Sequence, residues 1–251
     1  MTGPDFMTSL ARGLAVVQAF GDSCKPQTIS QISQRTGIPR AAVRRCLYTL
    51  QRLGYVDAEL HNFSLQPKAL TLGYAYLSST PLPVSSQPYL KAISRELSES
   101  CSLAVLDEAE VLYVARSAAS RVMSAALNTG SRLPAYCTAL GRVMLAWLPP
   151  EDLDAYFART KIEPMTDKTV TSEKRLREIL LAVREDGYAI NDEELELGLR
   201  SLAVPVRGAS GRVLAALNVG AQAGRASVEH MCHAFLPVLQ RSAQELSVLL
   251  P

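Results

Sequence analysis

Three arginines within six positions, Arg40, Arg44 and Arg45, are the residues whose type and spacing most readily do chemistry. They lie on a segment whose apolar residues Val43, Leu47 and Leu50 recur at helical spacing. If those face inward, Arg40, Ala41, Arg44, Arg45 and Tyr48 point the other way. Arginine there can fork onto guanine O6 and N7 or bind a phosphate, and the small Ala41 permits close approach. Pro39 suits the start of such a helix, where an N–H has no intrahelical partner. Thr28 and Ser30, at the start of the preceding helix, are suited to phosphate contacts through hydroxyls and free helix-end N–H groups. The plain alternative is a solvated helix face.

A second group lies far along the chain. Thr138 precedes an apolar helical run whose N-terminus favours a carboxylate. It can cap that helix or donate directly. Asn218 is a polar residue inside the apolar run Leu214 to Val219, so it needs a partner if buried. Ser201, just before the strand at Leu202, can serve likewise.

Other chemistries find little support. His230 and His233 stand three apart on a helix with no third ligand in view, so no metal site is expected. The acidic run Asp192, Glu193, Glu194 and Glu196 has Arg200 and Arg184 near it and is expected to be solvated or ion-paired. There is no G-x-S-x-G elbow, P-loop or dinucleotide fingerprint, so neither an enzyme nor a cofactor is expected. A DNA-binding architectural protein without a ligand is the remaining rival.

The elements that must position these residues follow from periodicity and punctuation. Ser9 to Phe20 reads as a helix with Leu10, Leu14, Val17 and Phe20 inward and Ser9 or Thr8 as its cap; Gly21 to Gln27 breaks it. Helices from Thr28 to Gly37 and from Pro39 to about Leu53 follow. Strands at Tyr55–Glu59 and Phe63–Gln66 have Leu60, His61 and Asn62 as their turn. Three helices and a hairpin in this order describe a winged helix-turn-helix over residues 8–66. The wing flanks carry Asp57 and Glu59, which leaves only His61 and Asn62 at the tip free to approach DNA without repulsion. Residues 67–83 read as a linker helix and a Ser/Pro-rich linker, with the boundary in Ser78–Pro83. Residues 84–251 read as an α+β unit with a largely antiparallel sheet. Its helices fall near 87–99, 138–148, 150–159, 172–186 and 227–250. Its strands fall near 101–106, 111–117, 188–190, 202–206 and 213–219, with an irregular stretch at 128–137 and a hairpin turn at Gly208–Gly211.

The chain has 251 residues, 48% of them hydrophobic, and a formal net charge of +2. That balance hides an asymmetry. The first 80 residues carry eight basic and four acidic side chains, and the remainder is slightly acidic. No apolar run approaches the roughly 20 residues of a membrane helix, and the N-terminus lacks a signal-peptide pattern. Five scattered cysteines, Cys24, Cys46, Cys101, Cys137 and Cys232, form no C-x-x-C pair, which fits idle thiols in a reducing cytoplasm.

Taken together, these residues resemble the IclR family of bacterial transcription regulators over nearly the whole chain. The likeness rests on Ser9–Leu14, Thr36–Arg45, Leu53–Val56, Gly187–Glu194 and Gly198–Val206. The run Arg132–Arg142 is similar to members controlling aromatic-acid catabolism by the protocatechuate and β-ketoadipate route. The resemblance implies binding to a double-stranded operator and a homodimer, often paired further into a homotetramer. It also implies a GAF-like domain that binds a small aromatic or dicarboxylic acid effector. Matched position by position, it places Ala139, Leu140, Asn191, Ser201, Asn218 and Gly220 at the effector. Members with small hydroxy- or keto-acid effectors carry an acidic group where Asn191 stands and hydroxyls where Asn218 and Gly220 stand. An aromatic acid therefore suits this lining better, with Tyr136 beside Pro134 to stack on it and Arg132 to pair its carboxylate. Asn128–Ser131 reads as a gate over that site or as a simple loop.

Overall fold

A computed structural model describes residues 3–21, 25–119 and 127–250. Cys24 and part of the expected break after the first helix lie outside the described residues. The chain divides into two compact units, Met1–Ser79 and Thr80–Pro251.

In the first unit, helices α1 (Thr8–Gln18), α2 (Ile29–Thr36) and α3 (Arg40–Arg52) precede a hairpin of β1 (Val56–Glu59) and β2 (Asn62–Leu65). Thr28 caps α2 through a capping box: Gln31 N–H donates to its hydroxyl, and the Gln31 side chain accepts from the Thr28 N–H. Gly37, at φ +68, ends the helix in the left-handed region. The hairpin turn is tighter than the sequence suggested. Leu60 and His61 alone form it, both at positive φ, while Asn62 pairs with Glu59 inside the ladder. Gln27 adds a bridge to Phe63 on the hairpin's other edge.

The core of this unit is Val16, Phe20, Ile32, Val43, Leu47 and Val56. The expectation for α1 is corrected in two respects. Its N-cap is Met7, with no side-chain cap hydrogen bond, and Leu10 and Leu14 are at least half exposed. One helix can bury only one stripe, and Val16, Ala19 and Phe20 occupy it. Leu10 and Leu14 instead line an apolar groove of about 550 Å³ with Leu50, Leu53, Tyr55 and Leu72.

A 3-10 turn at Pro67–Ala69 leads into α4 (Leu70–Ser79). The Ser/Pro-rich stretch is not an extended linker. Only Thr80 leaves the helical conformation, and α5 (Pro81–Leu97) starts at once, with prolines where a first helical turn tolerates them.

The second unit is built on a six-stranded sheet in the order β5-β4-β3-β8-β7-β6, with every pairing antiparallel. The strands are β3 (Ser100–Asp107), β4 (Glu110–Ser117), β5 (Arg132–Pro134), β6 (Ala189–Asp192), β7 (Leu199–Arg207) and β8 (Val213–Gln222). Strand β5 corrects the irregular reading of that stretch. The preceding Asn128–Ser131 is a turn joined to Tyr113 by hydrogen bonds from Gly130 N–H and to Ser131 C=O.

Alternation along the strands sorts the sheet into two faces. Leu103, Val204, Val206, Leu217 and Val219 pack under α5 and the last helix. That helix runs as α9 (Val228–His230), a π turn at Met231–Phe235 and α10 (Leu236–Ser247), the irregular turn falling just before Pro237, which has no N–H to give. The other face is smoother, with Ala104, Ala189, Ala203 and Ala216. It receives α6 (Ala139–Ala146), buried along its whole length, with α8 (Glu173–Asp186) behind it. Helix α7 (Pro150–Arg159) lies between them in sequence.

Two contacts fix α6. Gly141 lies so close to the chain that a Cβ would fall 2.1 Å from the Ala135 carbonyl oxygen. Arg142, 2% exposed, meets the Glu194 carboxylate with two hydrogen bonds of 2.6 Å and also donates to the Tyr136 carbonyl. The acidic run is thus ion-paired, but not only as expected. Asp192 pairs with Arg200, while the innermost partner is Arg142 rather than Arg184.

Removing one member of a buried pair strands a charge, at a cost of about 3–5 kcal/mol. Glu194→Ala should therefore lower unfolding free energy by that amount in urea titration. Asp107→Ala, at a surface pair, should cost about 1 kcal/mol or less. Gly141→Ala, which stabilises an ordinary helix, should destabilise this one in the same assay.

Candidate functional site

The exposed side of α3 is assembled as the sequence suggested. Val43 and Leu47 are buried, while Arg40, Ala41, Arg44, Arg45 and Tyr48 are exposed. Pro39 is the N-cap residue rather than the first helical one, and its carbonyl accepts from the Ala42 and Val43 N–H groups. Ser30 is exposed at the start of α2, but the Thr28 hydroxyl is engaged in its own cap. His61 stands exposed at the hairpin tip, and the Asp57 carboxylate accepts from the Ala58 N–H. The basic charge is concentrated on α3, and the acidic Asp57 and Glu59 lie on β1.

In the second unit, a cavity lies between the start of α6 and the alanine-rich face of the sheet. Of the expected ligand residues, Thr138, Ala139, Leu140, Asn191, Ser201, Asn218 and Gly220 all line it. Its floor is two adjacent rows across the sheet. Arg116, Ser102, Asn218 and Ala203 are paired in one row; Ser100, Gly220, Ser201 and Asn191 are paired in the next. Its volume is about 40 Å³, small beside the ~300 Å³ or more of ordinary ligand pockets.

The lining is chemically differentiated. Thr138 is committed to capping, accepting from the Gly141 N–H at 3.0 Å and donating to the Pro134 carbonyl at 3.2 Å. The N–H groups of Ala139 and Leu140, at the first two helical positions, have no intrahelical partner by geometry. Asn191 is held by its amide on the Cys137 carbonyl at 2.7 Å. Asn218 is different: it is 8% exposed and its Oδ1 has no hydrogen-bond partner. Tyr113 also faces the cavity, and burial pushes its phenol up to about 12, so it stays a neutral donor.

Three expected ligand residues are elsewhere. Arg132 lies at the outer end of the sheet, its guanidinium bound to Asp107 and Glu110 at 2.6 Å each. Its carboxylate-anchor role is corrected accordingly. Tyr136 is packed in the core, its hydroxyl donating to the Glu163 carbonyl and accepting from the Glu163 N–H, so no ring face is offered to a ligand. Pro134 sits in β5 and supports the α6 cap.

Sequence reasoning missed Tyr113 and Arg116. In a regular strand, residues three apart point to opposite faces. A bulge at Val114 breaks the parity: Leu103 pairs with Ala115, but Ala104 pairs with Tyr113. Both side chains therefore reach the same cavity. The available signal was an arginine directly following the apolar run Val111–Ala115 within one strand.

A winged helix-turn-helix with a basic third helix, joined to a unit with a polar cavity under a helix N-terminus, defines a DNA-binding regulator that answers a small molecule. Comparison with known proteins agrees. The IclR helix-turn-helix domain model matches residues 9–59, and the model of the C-terminal domain of bacterial IclR transcriptional regulators matches residues 74–248. The Pca regulon regulatory protein of Pseudomonas putida is 50% identical over 244 residues, covering 97% of this chain and 84% of that one. A transcriptional regulator from Rhodococcus sp. RHA1 superposes with a TM-score of 0.83 at 45% identity, covering 96% of this chain and 97% of that one. The inducer-binding domain of PobR from Acinetobacter, a double mutant in complex with 3-hydroxybenzoic acid, superposes with a TM-score of 0.63 at 36% identity. It covers 66% of this chain and 97% of that one. The chain belongs to the IclR family of bacterial transcription regulators.

An unpartnered buried amide oxygen contributes nothing to folding, and its isosteric replacement by an apolar side chain is close to neutral. Asn218→Leu should leave the denaturation midpoint unchanged or raised. A loss above about 2 kcal/mol would mean that the amide already has a partner.

Proposed function

We propose that this regulator controls aromatic-acid catabolic genes and that the cavity beneath α6 senses a small hydroxylated aromatic acid. The observation that carries the reading is the cavity's chemistry. One cationic side chain, a helix N-terminus, the unpartnered Asn218 oxygen and several hydroxyls line it together with Leu127, Leu140, Leu195 and Leu199. The 3-hydroxybenzoic acid held by the PobR domain and the Pca regulon relative support it. The cavity is too small for an aromatic ring as it stands, so binding must displace part of its wall. That displacement is the conformational work a sensor needs.

In this reading α3 enters the major groove, with Arg40, Ala41, Arg44, Arg45 and Tyr48 toward the bases and Ser30 and Pro39 near the backbone. Thr28 positions its helix, and His61 approaches the minor groove from the wing. The protein acts as a dimer. The exposed apolar residues Leu10, Leu14, Leu53, Leu70 and Leu72 of the first unit support this, as does the small surface that one reading head can bury. It has no catalytic role and works in the cytoplasm; among the described residues no helix is long and apolar enough to cross a membrane.

Fluorescence anisotropy with promoter DNA tests the reading. Adding 3-hydroxybenzoate or 3,4-dihydroxybenzoate should shift the operator binding curve, and neutral sugars should not. Arg44→Ala should weaken binding and reduce the slope of log affinity against log salt by about 1 if it contacts phosphate. An unchanged affinity and slope would remove α3 as the reading helix.

A further inference from the structure

We propose that Arg116, held in place by Ser102, is the carboxylate anchor of the effector cavity, and that Asn218 takes the ring hydroxyl. The assignment rests on the aromatic-acid reading above and adds to it an orientation and two specificity-determining residues.

The case begins with charge. Arg116 is the charged side chain among the described residues lining the cavity. Its Nη1 donates to the Ser102 hydroxyl at 3.1 Å, and among the described residues no carboxylate lies within ion-pair distance. Neighbouring arginines of this unit differ: Arg132 has Asp107 and Glu110, Arg142 has Glu194, and Arg200 has Asp192. Residues 120–126, which follow on the chain, include no Asp or Glu. A half-buried guanidinium facing a cavity, with a hydroxyl rather than a counter-ion, is prepared for an anion from outside. Ser102, itself 1% exposed, fixes the direction of its fork.

The second observation is independent. Asn218, 8% exposed, presents an unpartnered Oδ1 at the same cavity. It lies in the same cross-strand row, with Ser102 between it and Arg116. Adjacent strands are spaced about 4.8 Å, so the two groups stand on strands about 10 Å apart. The Arg116 guanidinium already reaches Ser102 on the intervening strand, so one small molecule seated over the row can touch both groups. An acceptor oxygen suits a phenolic hydroxyl and repels a carboxylate, which fixes the orientation: carboxylate on β4, hydroxyl on β8.

Isothermal titration of the full-length protein tests this with benzoate, 3-hydroxybenzoate and 3-hydroxybenzamide. The benzamide keeps the ring and hydroxyl but removes the charge. The wild type should prefer 3-hydroxybenzoate to both others. Arg116→Gln should weaken the acid roughly 10–100-fold and the benzamide far less, and Arg116→Lys should restore part of the acid preference. Asn218→Leu should narrow the gap between 3-hydroxybenzoate and benzoate while keeping acid above amide. Equal losses for acid and amide in Arg116→Gln, or no loss, would overturn the anchor and leave the carboxylate to the α6 N-terminus. Collapse of the acid preference in Asn218→Leu would overturn the orientation. If the wild type binds none of the three, the aromatic-acid reading falls and takes this assignment with it. Wild-type binding together with an undiminished acid-over-amide preference in Arg116→Gln defeats the anchor alone.

Discussion

The buried pair between Arg142 and Glu194 is the contact on which the second unit's architecture turns. It ties the middle of α6 to the loop between β6 and β7, and those two segments form facing walls of the cavity. Around it, Val170 N–H donates to the same carboxylate, and the Thr166 and Thr169 hydroxyls hold the backbone of Glu193 and Glu194. Buried ion pairs are poor sources of net stability but define a single arrangement sharply. Here that arrangement places the free N–H groups of α6 over the sheet. The Gly141–Ala135 approach allows the helix to sit low enough to cover it.

The sheet beneath is built for the same purpose. On one face, branched side chains make an ordinary core with α5 and α10. On the other, alanines let α6 approach, and where they stop the polar rows of Arg116–Ser102–Asn218 and Ser100–Ser201–Asn191 begin. A polar surface enclosed by an apolar one is costly unless its groups are satisfied. Ser100, Ser102 and Asn191 are satisfied within the protein, whereas the Asn218 oxygen is not. An effector that completes these bonds stabilises the opened form selectively, which is the thermodynamic requirement for a ligand to shift a conformational equilibrium.

The first unit was largely legible in the sequence because its signals are local. Helical spacing, Gly37 and Pro39 place α3 within a residue, and the exposed arginines follow from the burial of Val43 and Leu47. What was not legible depends on partners distant in the chain. Leu10 and Leu14 carry the same periodicity as a buried stripe, and only competition with Val16, Ala19 and Phe20 decides between them. In the second unit, the helix start at Thr138 and the polar strand residue Asn218 identified the cavity. Arg132 looked like its anchor because it is near the helix in sequence. Yet Asp107 and Glu110, over twenty residues upstream, hold it at the far edge. The bulge at Val114 hid Arg116 by inverting the strand parity, which no single-sequence pattern records.

The central claim is that a hydroxylated aromatic acid enters beneath α6 by moving that wall. Hydrogen–deuterium exchange on the full-length protein, with and without saturating 3-hydroxybenzoate, tests it most directly. Altered exchange is predicted in the first turn of α6, in the β6–β7 loop and in β8 around Asn218. If those segments were unchanged while protection appeared only in the apolar groove lined by Leu10, Leu14 and Leu72, the ligand would be bound elsewhere and the account contradicted.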